Sequence, residues 1–263
     1  MTEIKASTGP AYARIYSVGS AAPSRVIDNE YLLQYIDSSD EWITQRTGIR
    51  ERRWIAEGES IETLSLEAAN QAIERAGIDR SEIGAVILST ISHYHQTPAL
   101  APKLATELGI PDAAAYDISA ACAGFCYGLA QAESIVRAGQ ATYVLLIAGE
   151  TISEITDLND RGTAFLFGDG AGAVVVGPSE TNGIGPVVWG SDGSQEGVIW
   201  QTADWHEAVE TGEFPKLGMD GRAVFKWATS FIAQATKQCL DGAGLSPDQL
   251  DVFIPHQAND RIT

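Results

Sequence analysis

The chain has 263 residues, of which 44% are hydrophobic and 20% charged, and its formal net charge at pH 7 is −18. This length and apolar content are enough for a large buried core, either as one domain or as two fused halves, and they argue against disorder. The acidic balance disfavours nucleic-acid binding, which depends on neutralising phosphates with basic side chains.

The N-terminus and the cysteine content predict a cytoplasmic protein. The first residues, MTEIK, lack the apolar stretch of a secretory signal peptide, and the longest apolar run, near residues 143–148, is too short to cross a bilayer. Three cysteines without a disulfide pattern fit a reducing compartment. We therefore expect no membrane segment.

Basic residues are concentrated early in the chain. The segment RTGIRERR holds Arg46, Arg50, Arg52 and Arg53 within eight residues. Such a cluster could bind a phosphorylated ligand, but it could equally be a solvated loop with salt bridges. The charges alone leave both interpretations open.

Strand-like and helix-like patterns alternate along the chain, which predicts an α/β fold. In chain order we expect strands over 13–18, 85–90, 113–118 and 184–189, and helices over 65–78 and 124–138.

An internal repeat relates residues 65–90 to residues 231–256 at an offset of 167. When Gly77 is aligned with Gly244, both copies show a helix, an Ala-Gly-apolar stop, a polar turn and a strand. The repeat predicts two duplicated halves, 1–178 and 179–263. The first copy extends to about Gly177, so we expect roughly 80 residues of a complete second half to be absent from this sequence.

Cys122 lies in DISAACAGF, between the strand predicted over 113–118 and the helix predicted over 124–138. The first-turn N–H groups of that helix could stabilise a thiolate and an oxyanion, so Cys122 is a candidate nucleophile. Alternatively, it is a buried small hydrophobic residue. Cys126, one turn later and predicted to point inward, and Cys239 are interpreted as structural.

His256 is predicted to end the second copy of the repeat strand, where it could donate a hydrogen bond or transfer a proton. A structural histidine is the alternative. Because both strands belong to duplicated units, a pseudo-twofold axis could bring Cys122 and His256 together.

Two other patterns are discounted. GDGAGA at 168–173 resembles a dinucleotide-binding loop, but the three valines that follow it predict a strand where that motif requires a helix. His93 and His95 do not combine with the cysteines in a common zinc spacing. We expect no metal.

Five segments in order resemble the 3-oxoacyl-[acyl-carrier-protein] synthase III family of the thiolase-like superfamily. They are DSSDEWITQRTGIRERR (37–53), DISAACAGF (117–125), DRGTAFLFGDGAGA (160–173), MDGRAVFK (219–226) and PHQANDRI (255–262). The resemblance implies a five-layered αβαβα thiolase-like fold, a homodimer, and condensation of an acyl-CoA with malonyl-acyl-carrier-protein, without a metal or redox cofactor. It identifies Cys122 as the acylated nucleophile and His256 as the catalytic histidine.

The same resemblance implies substrate-binding roles. Trp42 matches the residue that stacks on the CoA adenine, with Arg46 and Arg161 on either side of the base. Asn259 matches a polar residue of the pantetheine channel, and Arg261 a basic residue that docks the acidic carrier protein. Thr97 matches a position, commonly a bulky aromatic residue, that reaches across the dimer into the partner's acyl pocket.

One departure from the family pattern concerns catalysis. The family's third catalytic residue is an asparagine in a GNTS-like motif, and no such motif occurs in these 263 residues. We therefore expect this chain alone not to complete the reaction. A thiolase-fold acyltransferase, a polyketide-starter synthase of secondary metabolism and an inactive fragment remain the alternatives.

Overall fold

The computed structural model describes residues 4–5 and 7–262. The strands are β1 (Tyr12–Ala21), β2 (Arg25–Asp28), β3 (Glu51–Trp54), β4 (Ile83–Ser89), β5 (Ala114–Ile118), β6 (Tyr143–Thr151), β7 (Asp169–Ser179), β8 (Ile199–Gln201) and β9 (Leu217–Met219). The helices are α1 (Asn29–Leu32), α2 (Asp40–Thr47), α3 (Ile61–Ala76), α4 (Ala101–Glu107), α5 (Gly124–Arg137), α6 (Trp205–Thr211) and α7 (Gly221–Ala243). Within these residues, no helix combines the length and the apolar content needed to cross a membrane.

Internal contacts divide the chain into two compact units that interleave in sequence. The first contains Met1–Pro23, Glu57–Glu150 and Gly170–Val187, and the second contains Ser24–Ala56, Thr151–Asp169 and Val188–Thr263. Neither unit coincides with the halves 1–178 and 179–263, so that division stays a prediction about the duplication.

A five-stranded sheet in the order β1-β7-β6-β4-β5 forms the centre of the first unit. β4 runs parallel to both β5 and β6, whereas β1 is antiparallel to β7. Residues Val144–Ile147 of β6 and 85–88 of β4 are almost completely buried. Continuous apolar strands of this kind are typical of a parallel sheet covered on both faces.

Helices cover both faces of this sheet, as two glycines show. A Cβ on Gly128 of α5 would lie 2.4 Å from Leu146 of β6, whereas a Cβ on Gly149 of β6 would lie 2.9 Å from the Ser65 hydroxyl of α3. Since residues 146 and 149 of a strand point to opposite faces, α5 and α3 lie on opposite sides. The first unit is therefore an α/β/α sandwich, which confirms the predicted α/β class.

The second unit has its own apolar core. This core comprises Ile27, Leu32, Ile36, Ile43, Trp54, Ala164 and Phe165, all buried. Two short antiparallel pairs, β2–β3 and β8–β9, belong to the same unit. The core joins α1 and α2 to the 164–165 segment and so fixes the loop that precedes β7.

Both copies of the repeat have the same local structure up to the strand. α3 and α7 end at Gly77 and Gly244, both left-handed (φ 65° and 69°), and each is followed by a 3₁₀ turn with a capping box. The first copy then forms β4, but the corresponding residues 251–256 form no strand. Val252 and Ile254 are 70% and 80% exposed.

The strand predicted at the end of the second copy is therefore wrong for this structure, and so is the strand predicted over 184–189. The physical reason is the same in both places: a strand needs a neighbouring backbone to accept and donate its hydrogen bonds, and no described strand pairs with either segment.

Candidate active site

Cys122 occupies a 3₁₀ turn, Ala121–Ala123, that connects the carboxyl end of β5 to the start of α5. The predicted strand-to-helix position of this residue is confirmed. α5 has no side-chain cap at Ala123, so its first-turn N–H groups are not covered by a capping oxygen. These amides carry the positive end of the helix dipole, which favours an anion at this end of α5.

The residue before Cys122 has an unusual backbone. Ala121 has φ 45°, and it is the one non-glycine residue with positive φ among residues 4–5 and 7–262. Left-handed backbone at a residue with a Cβ costs energy and is concentrated at functional sites. The turn that carries Cys122 therefore contains, at Ala121, a backbone conformation that local sequence preference alone does not favour.

Cys122 is an exposed residue, yet the surrounding protein desolvates its thiol. Burial raises the pKa of this thiol, a hydrogen bond from its own backbone N–H opposes the rise, and the charge of Glu150 adds to it. The helix dipole alone would lower the pKa of Cys122. The net direction in the folded protein is upward, and desolvation is its largest cause.

Glu150, near the end of β6, is a buried acid that the sequence analysis missed. Its carboxylate accepts hydrogen bonds from Ser92 Oγ (2.6 Å), Thr90 Oγ1 (3.1 Å) and the backbone N–H of Ile91 (3.0 Å). Burial raises the pKa of Glu150, and these hydrogen bonds oppose the rise. The available signal was a single acid at the end of the otherwise apolar strand YVLLIAGET.

A second carboxylate, Asp117 of β5, also went unrecognised. Its two oxygens accept hydrogen bonds from the backbone N–H groups of Leu100 and Ala101, both at 2.8 Å, at the start of α4. Glu150 and Asp117 thus hold the two ends of the loop that carries Thr97. Thr97 itself is exposed.

In the second unit, Trp42 and two arginines form one aromatic–cationic group. The guanidinium carbons of Arg46 and Arg161 lie 5.6 Å and 5.1 Å from the centroid of the Trp42 ring, and Phe165 meets that ring edge-on at 5.7 Å. Ser39 caps α2 by accepting from the N–H of Trp42. The structure therefore brings these three predicted residues together, with the indole half-buried and both arginines exposed.

The arginine cluster is not a single basic patch. Arg52 is buried and donates to the carbonyls of Ile27 and Phe165 and to Asn29 Oδ1 (2.6 Å). Burial lowers its pKa, opposed by the charges of Asp28 and Glu51. Arg52 is thus a structural residue of the core, and Arg46 is the member of the cluster that contacts Trp42.

Asn259 and Arg261 lie in a turn held against the end of α2. The N–H of Asp260 donates to the carbonyl of Thr47 (2.9 Å), and Asn259 Oδ1 accepts from the N–H of Arg261 (2.9 Å). The guanidinium of Arg261 lies 5.2 Å from the centroid of the Phe225 ring. Both residues are therefore attached to the helix that carries Trp42 and Arg46.

His256 is exposed and lies in the irregular segment that follows α7, not at the end of a strand. Its pairing with Cys122 stays a prediction. Cys126 is exposed, so the predicted inward orientation is wrong: the first turn of α5 turns this position toward solvent. Cys239 is partly buried on α7, and its structural role also stays a prediction.

The strand predicted at the three valines after GDGAGA is confirmed: β7 begins inside the motif, at Asp169, and continues through residues 174–176 without leading into a helix. His93 and His95 stack with ring centroids 5.6 Å apart. In the part of the chain that the structure describes, no three or more His, Cys, Asp or Glu side chains form a group suited to a metal ion.

Known proteins resemble this chain along its whole length. The family profile of 3-oxoacyl-[acyl-carrier-protein (ACP)] synthase III matches residues 116–193, which include Cys122. Beta-ketoacyl-[acyl-carrier-protein] synthase III 1 of Streptomyces coelicolor is 52% identical over 100% of this chain and 80% of its own length. The corresponding synthase III of Streptomyces glaucescens is also 52% identical and is covered over 79% of its length.

Solved structures show the same relationship. The priming beta-ketosynthase of the R1128 polyketide biosynthetic pathway superimposes with a TM-score of 0.96 at 42% identity, covering 99% of this chain and 78% of that one. The synthase III of Thermus thermophilus gives a TM-score of 0.88 at 40% identity, with coverages of 95% and 78%. The chain therefore has an α/β thiolase-like fold and belongs to the beta-ketoacyl-[acyl-carrier-protein] synthase III family of condensing acyltransferases.

Proposed function

We propose that this protein condenses an acyl-CoA primer with malonyl-acyl-carrier-protein through an acyl-Cys122 intermediate, the step that initiates fatty acid biosynthesis. The observation that carries the proposal is the exposed residue Cys122 in a strained turn at the start of α5. Such a turn presents the sulfur to an extended thioester and places backbone N–H groups beside it.

In the first half-reaction, the Cys122 sulfur attacks the thioester carbonyl of the acyl-CoA. The carbon–sulfur bond to CoA breaks, and the proton of the thiol ends on the CoA sulfur. The tetrahedral oxyanion formed on the way is stabilised by backbone N–H groups at the start of α5, which need no reorganisation.

In the second half-reaction, malonyl-carrier-protein loses its carboxylate as CO₂. The carbanion attacks the carbonyl of acyl-Cys122, forms the new carbon–carbon bond and releases the cysteine sulfur. The resemblance to the family supports His256 as a donor to the enolate oxygen, together with an asparagine of the GNTS-like motif. The expectation that these 263 residues do not complete the condensation stays a prediction.

The group around Trp42 supports a role in binding CoA. An indole flanked by two guanidiniums offers an aromatic face to adenine and positive charge to phosphates. The resemblance to the family supports Asn259 as a residue of the pantetheine channel and Arg261 as a residue that docks the acidic carrier protein. Their turn is attached to the helix that carries Trp42 and Arg46. A homodimer, the complete αβαβα layering and duplicated halves 1–178 and 179–263 belong to this proposal.

Polyketide priming is the second candidate. The close superposition on the R1128 priming beta-ketosynthase, with a TM-score of 0.96, favours it. The two functions share the acyl-Cys122 chemistry and differ in the primer and in the carrier protein that supplies malonate.

Acylation is the decisive experiment, because it does not require the second half-reaction. The purified protein is incubated with radiolabelled acyl-CoA, and the label is mapped by peptide mass. We expect label on Cys122, loss of label in Cys122→Ala and retention in Cys126→Ala, which is the matched control one helical turn away. Label that persists in Cys122→Ala would overturn the proposal. Release of CO₂ from malonyl-carrier-protein then separates a condensing enzyme from an acyltransferase.

A further inference from the structure

Glu150 lies at the same sheet edge as Cys122. In the register of the parallel strands, Ser89 is opposite both Ile118 of β5 and Ala148 of β6. Glu150 is two residues beyond this row, and Cys122 is four residues beyond it. Since carboxyl ends of parallel strands meet at one edge, the two residues project from the same side of the sheet.

The hydrogen bonds around Glu150 fit an ionised carboxylate. The N–H of Ile91 can only donate, and it lies 3.0 Å and 3.2 Å from the two carboxylate oxygens. Ser92 Oγ and Thr90 Oγ1 lie within hydrogen-bond distance of the same group. A carboxylate is an acceptor with room for all three donors, whereas a protonated acid presents one oxygen as a donor.

We propose that Glu150 is a positioning residue for Cys122: it ties residues 90–92 to the end of β6 and places a carboxylate at the sheet edge from which Cys122 projects. A negative charge at this edge disfavours the thiolate. This inference rests on the proposed function only for the role of Cys122 as nucleophile. A protonated resting thiol suits acyl transfer from CoA, because the proton that Cys122 loses is the one that the departing CoA sulfur gains.

Several titratable residues stand on the elements around Cys122, and the charge of Glu150 adds to the rise in the pKa of its thiol. The others are Asp117 on β5, Cys126 and Tyr127 on α5, and His93 and His95 in the loop after β4. The carboxylate of Asp117 is already engaged by the N–H groups of Leu100 and Ala101.

The test is the rate of alkylation of Cys122 by iodoacetamide as a function of pH, followed by peptide mass. Glu150→Gln keeps the shape and removes the charge. Since the thiolate is the reactive species, we expect about three- to tenfold faster alkylation near pH 7. We expect the two rates to converge at high pH, where both thiols are ionised.

Two further variants separate charge from loop position. Asp117→Asn replaces one acceptor at the other end of the same loop with a donor, so it disturbs the loop without removing Glu150, and we expect no shift of the pH profile. Ser92→Ala removes the 2.6 Å hydrogen bond that favours the ionised Glu150. It should therefore shift the alkylation profile in the direction of Glu150→Gln, by a smaller amount, even if the Gln variant does not fold.

If the pH profile of Cys122 alkylation is unchanged in both Glu150→Gln and Ser92→Ala, the inference is overturned. It is also overturned if Asp117→Asn shifts that profile as much as Glu150→Gln does. Failure of this inference is distinguishable from failure of the proposed function. Acyl label on Cys122 with an unshifted profile rejects the role of Glu150 alone, whereas a shifted profile without acyl label rejects the nucleophile alone.

Discussion

Gly124, the first residue of α5, lies directly against Ser89, the last residue of β4. A Cβ built on Gly124 would be 1.8 Å from Ser89 Oγ and 3.0 Å from Ser89 Cβ. The backbone that follows Cys122 can therefore approach the sheet edge only because residue 124 has no side chain. Of the small residues around the cysteine, Gly124 thus serves a close approach of backbone to β4.

We expect Gly124→Ala to lower the free energy of unfolding by about 1–3 kcal/mol, because overpacking displaces the Cys122 turn. Acylation of Cys122 should slow with it. Gly185→Ala is the control, since nothing lies within 4 Å of a Cβ at that position. Combining Ser89→Ala with Gly124→Ala should restore part of the lost stability, because Ser89→Ala removes the Oγ that the new Cβ overlaps but leaves the Ser89 Cβ. Chemical denaturation measures the free energy of unfolding of each variant. Equal stability of Gly124→Ala and Gly185→Ala would contradict the packing argument.

Local sequence patterns predicted the main elements of the first unit but not the roles of its two carboxylates, Glu150 and Asp117. β4, β5, α3 and α5 form where hydrophobic periodicity and the stop at Gly77 place them. Glu150 and Asp117 could not be found this way, because their partners are backbone N–H groups and hydroxyls 16 to 60 residues away. Hydrogen bonds of that range follow from strand register, which a single sequence does not specify.

The second unit shows a different limit. The repeat correctly predicted the C-terminal part of α7 and its stop at Gly244, which are local features. It did not predict the absence of a strand over 251–256, because a strand depends on a neighbouring strand. The spacing of basic residues likewise placed Arg52 and Arg46 in one candidate phosphate-binding cluster, although Arg52 is buried in the core. The alternation of β3 buries Arg52 and leaves Arg53 facing the other way.

Arg52 should be essential for the stability of the second unit. Arg52→Met leaves the buried Asn29 Oδ1 and the carbonyls of Ile27 and Phe165 without their donor, so we expect a loss of about 3–5 kcal/mol in the free energy of unfolding. Arg50→Met, at an exposed position of the same cluster, should change it by less than about 0.5 kcal/mol. Similar losses for both variants would show that Arg52 makes no special contribution.

The group around Trp42 should act on CoA binding and not on the chemical step. We expect Arg161→Ala and Arg46→Ala each to raise KM for acyl-CoA about two- to fivefold, as the loss of one exposed cation–π contact implies, while the maximal rate of Cys122 acylation stays unchanged. Arg137→Ala removes an exposed arginine that pairs with Glu133 and serves as the control. A fall in the acylation rate at saturating acyl-CoA would place these arginines in the reaction step instead.

Thr97 should set the choice of primer. The resemblance to the family places at this position a residue that commonly is a bulky aromatic and that lines the partner's acyl pocket across the proposed dimer. A threonine leaves most of that volume empty, and pocket contacts discriminate by about 1–3 kcal/mol per methylene, so a wider pocket shifts preference without abolishing acetyl transfer. We therefore expect kcat/KM with isobutyryl-CoA to be at least equal to that with acetyl-CoA.

The measurement compares kcat/KM of Cys122 acylation by acetyl-, isobutyryl- and hexanoyl-CoA in the wild type, Thr97→Phe and Gln96→Phe, because acylation does not require the second half-reaction. Thr97→Phe should reduce kcat/KM for the two larger primers by about tenfold or more and leave acetyl-CoA nearly unaffected, because the ring fills the space that their extra carbons need. Gln96→Phe adds the same ring at the neighbouring exposed position of the loop and should leave the selectivity unchanged. If Gln96→Phe narrows the selectivity and Thr97→Phe does not, the residue that faces the primer is Gln96, one position earlier in the loop. A wild type that strongly prefers acetyl-CoA, with no change in Thr97→Phe, would show that Thr97 does not line the pocket.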